Sequence, residues 1–141
     1  MSFPLGLVLT VALAAPPVSE GPVVTLSHHQ VRPGQRFEIA TNDHVLRGQF
    51  VDPATGECLA ALSVTGQAFG PLQRLWLLGA TQGNQPGAGG LQLTFMQQVR
   101  VGMKMELGLG DLSREHRVVT PPVTRITLLG GAPGSQQTAL R

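Results

Sequence analysis

The sequence predicts an all-β fold, an antiparallel β-sandwich or small barrel of about seven to eight short strands. Apolar and polar residues alternate from Leu91 to Leu109, which is the period of a half-buried strand. Turn signals built on glycine, proline, asparagine and aspartate recur about every 8 to 12 residues. No segment after residue 20 has helical periodicity over more than two turns.

Composition favours one packed domain. The chain has 141 residues, of which 42% are hydrophobic and 13% charged, against roughly 25% charged in ordinary soluble domains. The formal net charge is +2 and the basic residues are scattered, so the sequence predicts no nucleic-acid partner. The single cysteine, Cys58, has no partner for an internal disulfide and is expected to be a small buried hydrophobe.

The N-terminal segment resembles an export signal. Residues 1–14 are predicted to be a signal peptide cleaved before Ala15, because the segment is uncharged, mostly apolar and ends in small residues at 12 and 14. A retained strand or arm is the alternative, since no Lys or Arg precedes the apolar run and its larger residues fall on odd positions. The run is too short to span a bilayer stably, which takes about 20 residues.

The domain itself is predicted to cover residues 23–129. A proline-rich linker at 15–22 precedes it, because Pro16, Pro17 and Pro22 exclude helix. A flexible tail at 130–141 follows it, since this segment has no core content.

The first half of the domain divides into strands at clear turn signals. Pro33–Gly34, residues 41–43 and residues 52–56 have turn chemistry. Gly48, inside the third strand, predicts a bulge. The last two strands of this half are expected to pair antiparallel. The four predicted strands are Val23–Leu26, Arg36–Ala40, Val45–Val51 and Cys58–Val64.

The second half contains the strongest and the most ambiguous signals. Residues 71–78 fit a helix or a strand, and we favour a strand. Residues 82–90 are predicted to form a mobile exposed loop. Residues 91–109 would span about 63 Å as one strand at roughly 3.3 Å per residue, so a break is expected at Gln97–Gln98. Residues 118–129 form the last predicted strand, whose two prolines suit an edge or a switch between sheets.

Residues 24–39 resemble the opening strands of immunoglobulin-like modules in secreted bacterial proteins. The resemblance rests on Val31, Pro33, Gly34 and Phe37, which lead into an alternating strand. It implies a β-sandwich architecture and no active residue. The chain lacks the paired cysteines and the corner tyrosine of antibody-type domains.

The sequence predicts no metal site and no cofactor. His28, His29, Asp43 and His44 are the densest set of ligand types, but they sit in turns at opposite ends of a strand of about 17 Å. We therefore expect solvated turn histidines, with Asp43 capping its turn.

The methionines of the alternating segment offer ligands of the type that a soft copper site uses. Met103 and Met105, with Met96 nearby, have the right ligand type. The phase of the alternation places Met103 and Met105 on the apolar face, where methionine fills core gaps. Both are therefore predicted to be core residues.

No catalytic residues are predicted, and the protein is expected not to be an enzyme. Ser27 with His28, and Ser113 with Glu115 and His116, supply nucleophile and base types without a framing motif.

The favoured function is a non-catalytic, exported binding or adhesion module at the cell surface or in secreted material. Its contacts with an unidentified protein or surface partner are predicted in the loops at 52–57 and 82–90. The alternative is a structural subunit of a virion, appendage or other surface assembly, in which the first 20 residues form an arm and exposed strands pair with neighbouring copies. A metal-binding domain is the least favoured reading.

Overall fold

The computed structural model describes residues 20–64, 66–82 and 95–130. The signal peptide predicted at 1–14, most of the loop at 82–90 and all but the first residue of the tail lie outside the described residues. Short 3-10 turns occur at His28–Gln30 and Arg114–His116. The strands are β1 (Gly21–Val23), β2 (Thr25–Ser27), β3 (Arg36–Thr41), β4 (His44–Asp52), β5 (Glu57–Val64), β6 (Gln73–Thr81), β7 (Phe95–Met96), β8 (Gln98–Arg100), β9 (Lys104–Leu109) and β10 (Arg117–Leu129).

Six of these strands pair in a closed antiparallel ring. The ring runs β3–β4–β5–β6–β9–β10 and returns from β10 to β3. β1 lies beside β10, β7 lies beside β6, and β2 pairs with β8 in a separate two-stranded sheet. The predicted all-β antiparallel fold is confirmed, and its closed pairing is that of a small up-and-down barrel.

Strand β10 closes the ring by changing partners. Its first half pairs with β9 from Arg117 to Pro122, with a register shift after Val119, and its second half pairs with β3 from Val123 onward. Pro121 and Pro122 lie at the change, where they remove two backbone donors and the register shifts on both sides. The hydroxyl of Thr120 accepts the Met105 N–H at 3.1 Å there. The sequence predicted an edge or a switch between sheets at these prolines. In the structure they mark the point where β10 changes its partner strand within one barrel.

Aromatic rings fill one half of the barrel interior. Phe37 and Phe50 are fully buried, with ring centroids 5.3 Å apart. Gly48 is paired with Phe37 on one side and Ala60 on the other, and a Cβ at Gly48 would lie 2.6 Å from the Ala60 Cβ. The glycine thus permits close strand approach, and the bulge expected there lies instead between Phe50 and Asp52.

The segment 95–109 breaks twice. Gln97 has a φ of 59° and ends β7, which confirms the predicted break at Gln97–Gln98. A second turn at 101–103, built on Gly102 with φ 92°, separates β8 from β9. Met105 is in the core as predicted, at 2% exposure. Met103 lies half-buried in the second turn, so its assignment to the strand core was wrong.

The small β2–β8 sheet covers the aromatic end of the barrel and is called the floor below. Leu26 and Val99 face each other across this pair, are fully buried and join the barrel core. The strand predicted at Val23–Leu26 is interrupted at Val24, where the chain leaves β10 and crosses to β8.

Candidate functional site

The end of the barrel opposite the floor contains an open cavity of about 240 Å³, called the mouth below. It lies where β3, β5 and β9 end and where β4, β6 and β10 begin, and all six strands of the ring line it. The deep lining consists of Ile39, Leu46, Leu75, Met105 and Leu107, and the rest comprises Thr41, His44, Leu62, Gln73, Leu109, Val118, Val119, Thr120 and Pro121.

Exposure increases from the bottom of the mouth to its edge. The five deep residues are at most 5% exposed. Leu62 and Val118, at the edge, are 39% and 40% exposed although both are large and apolar. The side chains at the bottom of the mouth are therefore buried, and those at its apolar edge are exposed to solvent.

The distribution of aromatic and aliphatic side chains explains why the cavity is at this end. Phe37 and Phe50 fill the floor half of the interior. The deep part of the mouth half is lined by aliphatic side chains and one methionine, and no Phe or Trp is among the described residues that line the mouth. Six strands enclose a narrow barrel, and the opening lies at the end where aliphatic rather than aromatic side chains face inward.

Polar groups stand at the edge of the mouth. The Thr41 hydroxyl accepts the backbone N–H of Asp43 at 3.3 Å and of His44 at 3.1 Å. Thr41 rather than Asp43 thus caps the β3–β4 turn, which corrects the sequence prediction. The side chains of His44 and Gln73 make no hydrogen bond with the described residues. No Asp, Glu, Lys or Arg is among the described residues that line the mouth.

His28 departs most from its predicted position. It was expected in a solvated turn, but it is 2% exposed and its ring lies 5.4 Å from that of Phe50, edge to face. Neither ring nitrogen has a hydrogen-bond partner among the described residues. Burial, with a smaller contribution from His29, lowers the pKa of His28 to about 4. The signal was present in the sequence, since His28 follows Leu26 at the period of a strand.

The four proposed ligand residues do not converge. His28 lies at the floor, whereas His44 lines the mouth and Asp43 lies in the β3–β4 turn beside it, which agrees with the predicted separation. Among the residues the structure describes, no group of three or more His, Cys, Asp or Glu side chains is arranged to hold a metal ion.

Cys58 is fully buried in the barrel, as predicted. Its thiol donates to the carbonyl of Gly56 at 3.3 Å. Burial raises the pKa of the thiol, with a smaller contribution from the charge of Glu57. The thiol is therefore held in its unreactive protonated form.

The loop after β9 brings serine, histidine and aspartate together without forming a proton relay. Ser113 Oγ lies 3.0 Å and Asp111 Oδ1 2.8 Å from the same atom, His116 Nδ1. A hydrolytic triad uses both ring nitrogens, one toward the nucleophile and one toward the acid. The side-chain bonds from His116 and Ser113 lower the pKa of Asp111 to about 2. This exposed cluster fastens the loop, and Glu115 is not part of it.

The loop at 52–57, predicted as a contact surface, packs against the floor end. Gly56 N–H donates to the Asp52 carbonyl at 3.0 Å, and Gly56 accepts Leu77 N–H at 2.9 Å. The Gln97 amide donates to the Ala54 carbonyl at 3.0 Å. This loop is thus tied down at the end of the barrel away from the mouth.

Comparisons with protein-family models, curated proteins and solved structures found no match to this chain. Within the part of the chain that the structure describes, no helix has the length and apolar character needed to cross a bilayer.

Proposed function

We propose that this protein is a non-catalytic binding module that takes a small apolar ligand into the mouth of its barrel. The supporting observation is the open, apolar cavity of about 240 Å³. Concave apolar sites with a few polar groups at the edge are the usual form of small-molecule sites. The ligand gains by removing its surface from water against side chains that are already buried and in place.

The geometry supports this function over a strand-paired assembly subunit. Ring closure leaves none of the six barrel strands with a long free edge. In the described chain, the outer edges of the large sheet belong to β1 and β7, which have three and two residues. Such short edges give a neighbouring copy few backbone groups to pair with.

Export to the cell surface or the medium is part of the proposal and rests on residues 1–14 alone. Mass spectrometry of protein recovered from its source tests it. A mature chain beginning at Ala15 is expected, and exported material that retains Met1 would remove this support. The immunoglobulin-like resemblance of residues 24–39 stays a prediction.

Binding is tested with cyclohexane, an uncharged aliphatic probe, in calorimetric and NMR titrations. Cyclohexane has six non-hydrogen atoms, and about 0.7 to 1.1 kcal/mol per atom, within the range for small ligands, corresponds to a Kd between about 10 μM and 1 mM. We expect saturable binding in that range, with the methyl signals of Met105 and Leu75 moving most. Absence of saturable binding would overturn the proposed function.

A matched pair of variants locates the site. Val118 and Val51 are 40% and 41% exposed, but Val118 lines the mouth whereas Val51 lies on the outside of β4 toward the floor. Val118→Trp is expected to cover the mouth and weaken cyclohexane binding at least tenfold. Val51→Trp is expected to bind as the parent does, and equal loss in both variants would contradict the proposed site.

A further inference from the structure

We propose that the mouth selects an uncharged straight-chain aliphatic molecule of about eight carbons whose oxygen-bearing head group lies at the polar edge of the mouth, where His44 and Gln73 stand. This inference deepens the proposed function and rests on it. It names the class of ligand from the size, the wall chemistry and the edge groups of the cavity.

The size of the mouth sets the length of the ligand. An engineered cavity of about 150 Å³ accommodates benzene, a six-carbon ligand, which is about 25 Å³ per carbon. At that ratio the 240 Å³ of the mouth hold about ten non-hydrogen atoms. A chain of about eight carbons with its head group matches this number, whereas a long-chain lipid would leave half its length in water.

The walls favour a flexible aliphatic chain over a ring. Five leucines, one isoleucine, one methionine and two valines line the cavity, and no Phe or Trp does. An aromatic ligand would therefore gain no stacked or edge-to-face contact with a wall ring. Met105, at the bottom, has an unbranched side chain that adapts to the end of a chain of variable shape.

The edge groups favour an uncharged oxygen. The His44 ring and the Gln73 amide line the mouth and make no hydrogen bond with the described residues, so both have N–H donors to offer. The Thr41 hydroxyl fixes the backbone of the turn that places His44. A carboxylate would lose hydration here without gaining a Lys or Arg, because neither type is among the described lining residues. A hydroxyl or ester carbonyl accepts the same donors without that cost.

The experiment compares 1-octanol and octanoate at pH 8, with cyclohexane as the reference that has no head group. Calorimetric titration is done with the full chain, the variants His44→Leu and Gln73→Leu, and the control His29→Leu, which removes an exposed histidine at the floor end. Thermal unfolding midpoints of all four proteins verify that each is folded before its affinity is compared.

The parent protein is expected to bind 1-octanol at least tenfold more tightly than octanoate. His44→Leu and Gln73→Leu are each expected to weaken 1-octanol binding about three- to tenfold, the usual worth of one hydrogen bond, and to leave cyclohexane binding unchanged. His29→Leu should change neither affinity.

Failure of this inference differs from failure of the proposed function. If octanoate binds as tightly as 1-octanol, or if both mouth variants keep the parent affinity for 1-octanol, the inferred head-group chemistry is wrong while cyclohexane binding still supports the apolar site. If neither cyclohexane nor 1-octanol binds, both proposals are wrong.

Discussion

Removal of the His28 imidazole should make the stability of the protein less sensitive to acid. His28 is enclosed by the floor and by Phe50, and no residue that the structure describes forms a hydrogen bond with either of its ring nitrogens. Protonation would place an unpaired charge in this apolar contact. The variant His28→Leu keeps an apolar side chain of similar bulk against Phe50 and cannot be protonated.

The expected magnitude follows from the displaced pKa. The pKa of His28 lies at about 4 in the folded protein against 6.5 for an ordinary histidine. Above pH 6.5 the ring is neutral in both states and contributes no pH dependence. As the pH falls from 6.5 to 4, the unfolded chain takes up a proton that the folded protein does not, so stability decreases. The loss in the free energy of unfolding approaches about 3 kcal/mol, because each unit by which the pKa is lowered contributes about 1.4 kcal/mol.

Urea unfolding followed by the fluorescence of Trp76, the single tryptophan, measures this effect at pH 7, 5.5 and 4. The parent is expected to lose about 3 kcal/mol more than His28→Leu over this range. At pH 7 the variant should be at least as stable as the parent, because it buries no unpaired polar atoms. His29→Gln, at an exposed neighbour, removes only the smaller contribution to the lowered pKa of His28 and should keep most of the parent's loss of stability. Equal losses in the parent and His28→Leu would refute the reasoning.

Three further experiments test the packing of the barrel. Gly56→Ala places a Cβ against the Leu77 carbonyl at a φ of 84°, so it should cost clearly more than Gly66→Ala, which has a φ of 82° and open space. The latter isolates the backbone cost of about 1 kcal/mol, and urea unfolding of both decides the comparison. Thr120→Val should cost about 1 to 3 kcal/mol, because it leaves the backbone N–H of residue 105 without its acceptor; an unchanged urea midpoint would contradict this. Cys58 should react with a thiol reagent only in denaturant, and rapid labelling of the native protein would contradict its burial.

The strands of the barrel were predictable because their alternation and turn chemistry are local. Phe37 and Ile39 face the core as their spacing predicts, and the strand preferred at 71–78 is present as β6. The switch at the two prolines of β10 was also predictable, since proline cannot donate to a ladder. Closure of the ring was not, because it depends on which edges meet, and the sequence period does not distinguish a barrel from a sandwich.

The candidate site was harder to predict from the sequence than the fold. The mouth depends on side-chain volume. Aliphatic side chains occupy one half of the barrel interior and phenylalanines occupy the other. Its lining residues have the pattern of an ordinary core, so nothing in Leu75 or Leu107 marks them as pocket residues. The sequence instead predicted contact surfaces in polar loops, and the loop at 52–57 packs against the floor.

The central claim is that the open end of the barrel is a ligand site, and intermolecular nuclear Overhauser effects with bound cyclohexane test it most directly. If the ligand binds in the mouth, contacts are expected from the probe to the methyl groups of Met105, Leu75 and Leu46, which lie at the bottom of the mouth. No contacts are expected to Leu26 and Val99, which are buried at the floor. Contacts to the floor pair in place of the mouth residues would contradict the claim.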